Sequence, residues 1–93
     1  MSKDNNVHRV EHIRAKLKLS FTFAVFAASK YDTGEIEGAD LSLSRAEEIL
    51  VAVAPLVLDP KLSAHLSNEQ SQEFKAELKR LRQRLDRLRL LRK

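Results

Sequence analysis

An all-α fold, a small helical bundle, is predicted for this chain from three observations. Glycine and proline are scarce, two of each in 93 residues, which leaves little turn chemistry for a sheet. Apolar residues recur every three or four positions in long stretches, and helix-start signals precede those stretches while nothing reads as a hairpin. With 43% hydrophobic and 32% charged residues the composition is that of a folded chain. A single domain over residues 1–93 is expected. A chain of this size buries only about 60–65% of its unfolded surface, so association is a natural source of extra stability.

The first helix is expected over residues 6–30. Asp4, Asn5 or Asn6 supplies a cap, and Val7, Val10, Ile13, Leu17, Phe21, Ala24 and Ala28 form one apolar stripe. A second row, Leu19, Phe23 and Phe26, makes the C-terminal half apolar nearly all round, which predicts a central position for that half. Residues 31–43 hold both glycines and the acids Asp32, Glu35, Glu37 and Asp40 without a period, and read as an acidic surface loop.

Ser44-Arg45-Ala46-Glu47 has the spacing of a capping box, so a second helix is expected over 44–58. The valine-rich run Ile49–Leu58 resembles a buried strand, but the preceding cap and the lack of a partner strand favour helix, kinked or ended by Pro55. Asp59-Pro60 offers a cap followed by proline, which predicts a short helical turn over 60–66. Ser67-Asn68-Glu69-Gln70 is a further capping box and opens a last helix over 68–92.

That helix carries Phe74, Leu78, Leu81, Leu85 and Leu88 at spacings of four and three, a heptad-like seam. At ~1.5 Å per residue the first and last helices would each be roughly 36–39 Å long and the kinked middle one near half that. One short helix cannot cover two long ones, so the seam is expected to be an oligomer interface and the bundle to be completed by dimerisation. A parallel homodimer would set Arg84 against Arg89, which favours antiparallel pairing or a more acidic partner.

Charge is unevenly distributed. The net +4 divides into +3 for residues 1–18, −6 for 19–74 and +7 for 75–93. The strongest chemical signal is therefore the C-terminal basic helix, with Lys79, Arg80, Arg82, Arg84, Arg87 and Arg89 as candidate contacts to a partner protein or to phosphates. Lys75, Arg92 and Lys93 add to the same segment.

The chain has no cysteine, which excludes disulfides, thiolate metal sites and cysteine nucleophiles and suits a reducing, cytoplasmic location. The basic start followed by the apolar run Leu19–Ala28 has some likeness to a secretory leader, but Asp4, Glu11, Ser20 and Thr22 interrupt the pattern. No apolar run approaches the ~20 residues of a membrane span.

Two short motifs carry possible chemistry. His8-Arg9-Val10-Glu11-His12 resembles the H-x-x-E-H pattern of inverted zinc metallopeptidases, whose two histidines bind zinc and whose glutamate activates water. That chemistry needs a third ligand and a larger cleft, so surface histidines are the expected reading. Asp32-Thr33-Gly34 resembles the signature of aspartic proteases, but helical sequence surrounds it and turn residues are expected. No phosphate loop, nucleophile elbow or catalytic constellation is evident, and no metal or cofactor is expected. The chain therefore reads as a non-enzymatic interaction module, an adaptor, anti-activator or inhibitor, acting on a protein partner through its basic helix. The alternative is a dimeric nucleic-acid-binding regulator using the same helix.

Overall fold

The computed structural model describes the backbone of residues 2–92 and the side chains of residues 7–92. It consists of three helices, α1 (Ser2–Asp32), α2 (Ile36–Leu58) and α3 (Asn68–Arg89), with no strand among the described residues. The candidate caps Asp4, Asn5 and Asn6 and the basic Lys93 lie outside the described side chains. Helix α1 begins before the expected residue 6. At ~1.5 Å per residue its 31 residues rise about 46 Å, close to the 49 Å long axis of the molecule.

Helix α1 ends in a Schellman motif. The Glu35 N–H donates to the Lys30 carbonyl at 2.8 Å and the Gly34 N–H to that of Tyr31 at 3.2 Å, with Gly34 at φ +82°. Three residues then suffice to reverse the chain, because α2 starts at Ile36. Most of the expected acidic loop 31–43 is therefore helix. Glu37 sits in the first turn of α2, where a carboxylate is favoured by the helix dipole. Gly38 lies inside α2 against the last turn of α1, and a Cβ there would stand 3.2 Å from Lys30 Cδ.

The expected start of α2 at residue 44 is accordingly corrected. Ser44 and Glu47 are in the helix interior, and the first turn that a capping box would serve lies eight residues upstream. Pro55 does not stop α2, which continues through it to Leu58; the Asp59 N–H donates to the Pro55 carbonyl at 2.9 Å. Residues 60–66 form turns rather than a helix. Asp59 Oδ1 accepts from the Lys61 N–H at 2.9 Å, which is the capping role expected of Asp59.

The second capping box is formed as read. Ser67 Oγ accepts from the Gln70 N–H at 3.1 Å, and Gln70 Oε1 accepts from the Ser67 N–H at 3.0 Å.

Each helix contributes one buried row spaced by four and three. These are Ile13, Leu17, Ser20, Ala24 and Ala27 on α1, Ala39, Leu43, Ala46, Leu50, Val53 and Val57 on α2, and Phe74, Leu78, Leu81, Leu85 and Leu88 on α3. Three seams of the coiled-coil period facing one axis make a three-helix core. Cross-helix pairs set the directions. Ser20 Oγ donates to the Ala46 carbonyl at 2.9 Å and Lys30 meets Gly38, so α1 and α2 are antiparallel. Arg14 meets Glu73 near one end while Tyr31 and Arg92 lie together near the other, so α1 and α3 run in the same direction.

The seam expected at an oligomer interface is thus interior to one chain, with Phe74, Leu81 and Leu85 fully buried. The reason is the length of α2, 23 residues rather than about half a long helix, which gives α1 and α3 a partner within the same chain. The seam of α1 also differs from the expected stripe. Phe21 and Ala28 are only partly buried, and Ser20 and Ala27 take the core positions beside them. Of the row expected to make α1 central, Leu19 and Phe26 lie at the surface, 42% and 50% exposed, while Phe23 is partly buried against the core.

Candidate functional site

Helix α3 commits one face to the core and turns the rest outward. Lys79, Arg80, Arg82, Arg84, Arg87 and Arg89, the candidate contacts, are all exposed. Their surroundings separate them into two groups.

Arg80, Arg84 and Arg87 fall at i, i+4 and i+7, on one flank of α3 over about 10 Å of helix. With Glu77, Gln83 and Phe21 of α1 they line a groove of about 460 Å³ between the two helices. Phe21 is partly buried against the core. Lys79 and Arg82 extend the positive face around the outside of α3. Among the described residues no carboxylate lies within ion-pair distance of Lys75, Lys79, Arg80, Arg82, Arg84 or Arg87.

Arg89 belongs to a different arrangement. Its Nε donates to Glu47 Oε2 at 2.5 Å and its Nη1 to Asp86 Oδ1 at 2.5 Å, while Arg92 Nη2 donates to Glu47 Oε1 at 2.5 Å. Burial opposes ionisation of Glu47, but the hydrogen bonds from Arg89 and Arg92 outweigh it and hold its carboxyl below the ordinary value. The same carboxylate holds the Arg92 guanidinium above its ordinary value. Beside it, the Tyr31 hydroxyl donates to Asp40 Oδ1 at 2.5 Å; burial first, then the hydrogen bond to Asp40, raises the Tyr31 phenol above its ordinary value. Tyr31, Asp40, Glu47, Arg89 and Arg92 together tie the ends of all three helices. Arg89, a candidate partner contact from sequence, is therefore occupied within the chain.

This cluster also explains the charge segregation. Because α2 is antiparallel to α3, the acidic N-terminal part of α2 lies beside the basic C-terminal part of α3, and part of the +7 is compensated internally. At the other end Arg14 pairs with Glu73 at 3.1 Å and places its guanidinium 5.4 Å from the centre of the Phe74 ring.

The two short motifs resolve structurally. His8 and His12 are exposed one turn apart on α1 and share a surface pocket with His65, while Glu11 borders an adjoining depression with Arg14, Gln70 and the other side of His65. Among the described residues no three histidines or acids come together closely enough to hold a metal ion. Asp32 is the last residue of α1, and Gly34 provides the left-handed residue of the turn that follows.

Comparison with known proteins gives no match, whether to a family model, a curated protein or a solved structure. The arginines are legible in the sequence, whereas the groove they form with Phe21, a residue expected in the core stripe of α1 and partly buried there, depends on how two helices pack. The spacing of Arg80, Arg84 and Arg87 beside the heptad seam was the available signal.

Proposed function

We propose that this protein is a non-enzymatic interaction module, of the adaptor, anti-activator or inhibitor kind, that docks an acidic helical segment of another protein. The observation that carries the reading is the row Arg80, Arg84 and Arg87, exposed, without a carboxylate partner among the described residues, along a groove that also contains Phe21. Three guanidinium groups at i, i+4 and i+7 suit carboxylates repeated at the same spacing on a second helix, and the ring of Phe21 offers an apolar contact beneath them. Arg89 and Arg92 keep a structural role through Glu47.

The test uses a synthetic amphipathic helix with glutamates at i, i+4 and i+7 beside a leucine row. Binding is expected in the micromolar range, and replacing Arg80, Arg84 and Arg87 by glutamine should weaken it about tenfold or more while helicity is unchanged. The corresponding replacement of Lys75 should have a small effect, because Lys75 lies outside the groove.

The remaining unpaired cations around the outer face of α3 support nucleic-acid binding as the second reading. A DNA duplex would engage the whole face rather than one flank. Its affinity would fall steeply with salt and respond to Lys79 and Arg82 as strongly as to Arg84. A sub-micromolar, sequence-preferring DNA complex at physiological salt, with no binding of the acidic helix, would overturn the proposal.

A further inference from the structure

At the end of the bundle opposite the Glu47 cluster, the connection between α2 and α3 passes beside the N-terminal half of α1 and borders an open surface pocket of about 580 Å³. That volume is in the range of small-molecule sites. Its lining is unlike the rest of the surface. Ile13, Leu56 and Leu62 supply apolar area, five nitrogen-bearing side chains accompany them, and no carboxylate is among the described lining residues.

The nitrogen groups come from two segments. His8, Arg9 and His12 project from α1, and Lys61 and His65 from the connection. His65 Nε2 is buried and has no hydrogen-bond partner among the described residues. Burying a ring nitrogen without a partner is unfavourable, so a group that accepts or donates there would be gained at little cost in reorganisation. Arg9 and Lys61 supply basic side chains, and neither is in an ion pair among the described residues. Of the described acids, Glu11 borders a neighbouring depression that also reaches His65, Glu48 lies beyond His12, and Asp59 Oδ1 holds the Lys61 backbone N–H.

We infer that this pocket binds a small amphipathic organic anion, a carboxylate with a medium-length apolar body. The carboxylate meets the guanidinium of Arg9, the ammonium of Lys61 and the free ring nitrogen of His65, while the apolar body covers Ile13, Leu56 and Leu62. The positive rim selects the charge, and the apolar lining selects for a tail. The site is separate from the arginine groove and does not depend on the partner proposed for it.

The test compares four probes by calorimetry and by NMR of the full chain: decanoate, decyltrimethylammonium, acetate and inorganic phosphate. Decanoate is expected to bind saturably and to shift the signals of His65, Leu56 and Leu62, with the cationic and tailless probes about tenfold weaker or more. Arg9→Gln with Lys61→Gln should weaken decanoate about tenfold or more, with an unchanged melting temperature because both side chains are exposed. A second variant, Leu62→Ser, should weaken decanoate and leave the weak acetate response as it was. Equal binding of decanoate and decyltrimethylammonium would overturn the inference, as would phosphate binding as tightly as decanoate or decanoate shifts confined to Arg80, Arg84 and Arg87.

Discussion

Gly34 lies within the α1–α2 reversal and Gly38 just beyond it in α2, and replacing each by alanine should change stability in opposite directions. At Gly34 the backbone is at φ +82° and an added Cβ meets nothing within 4 Å, so the cost is conformational alone. A left-handed alanine costs about 1–2 kcal/mol, partly offset by the lower entropy of the unfolded chain, for a net loss of about 1 kcal/mol. Gly38 is different because it lies within α2, where glycine is about 0.8–1 kcal/mol less favourable than alanine. An added Cβ would stand 3.2 Å from Lys30 Cδ and 3.3 Å from its Nζ, atoms at the mobile end of a long side chain that can move aside. Gly38→Ala should therefore stabilise by about 0.5–1 kcal/mol. Thermal unfolding followed by circular dichroism reads both, since 1 kcal/mol corresponds to about 4–8 °C in a domain of this size. The Gly34 variant should melt about 4–8 °C lower and the Gly38 variant about 2–8 °C higher. A Gly38→Ala midpoint as low as that of Gly34→Ala would refute the placement of residues 36–43 in a helix packed against α1.

Other consequences follow from the same packing. Leu81→Ala removes a fully buried side chain from the three-seam core and should cost about 2–5 kcal/mol in denaturant unfolding, with no change in the mass of the folded species by light scattering. Glu47→Gln should cost about 1–2 kcal/mol at pH 7, given two partly exposed arginine partners. Because the folded-state value of Glu47 is depressed, its contribution is present above the unfolded value and lost as pH falls, so the gap between the two proteins should close below about pH 4. Tyr31 has a raised folded-state value, so its contribution is complete below about pH 10 and lost as pH rises further; Tyr31→Phe should remove that alkaline loss.

Local, reciprocal signals were legible in the sequence. The Ser67 to Gln70 box and the spacing of Phe74, Leu78, Leu81, Leu85 and Leu88 each define themselves within a few residues, and both are present in the fold. Ser44 and Glu47 show the opposite case. The same spacing occurs inside a helix already under way, and Glu47 is used by Arg89 and Arg92, more than forty positions distant. The α1 and α2 seams were obscured by their small residues. Ser20, Ala27, Ala39 and Ala46 are fully buried, yet an apolar pattern weighted towards large side chains passes over them. That is why 31–43 read as a loop, the middle helix as short, and the leucine seam as needing a second chain. The charge segregation was visible, but its internal compensation depends on the antiparallel placement of α2 and α3. The pocket around His65 joins positions 8 to 65, and no local pattern announces it.

The closure of the leucine seam within one chain underlies every assignment made to the surface of α3, because only then is the arginine flank the part of that helix left for a partner. Thermal unfolding at two protein concentrations differing about a hundredfold tests it most directly, since folding coupled to association makes the midpoint depend on concentration. The three-helix bundle predicts the same midpoint at both. A midpoint that rises with concentration, and that loses this dependence when Leu81 and Leu85 are replaced by alanine, would place the seam between chains and contradict the account.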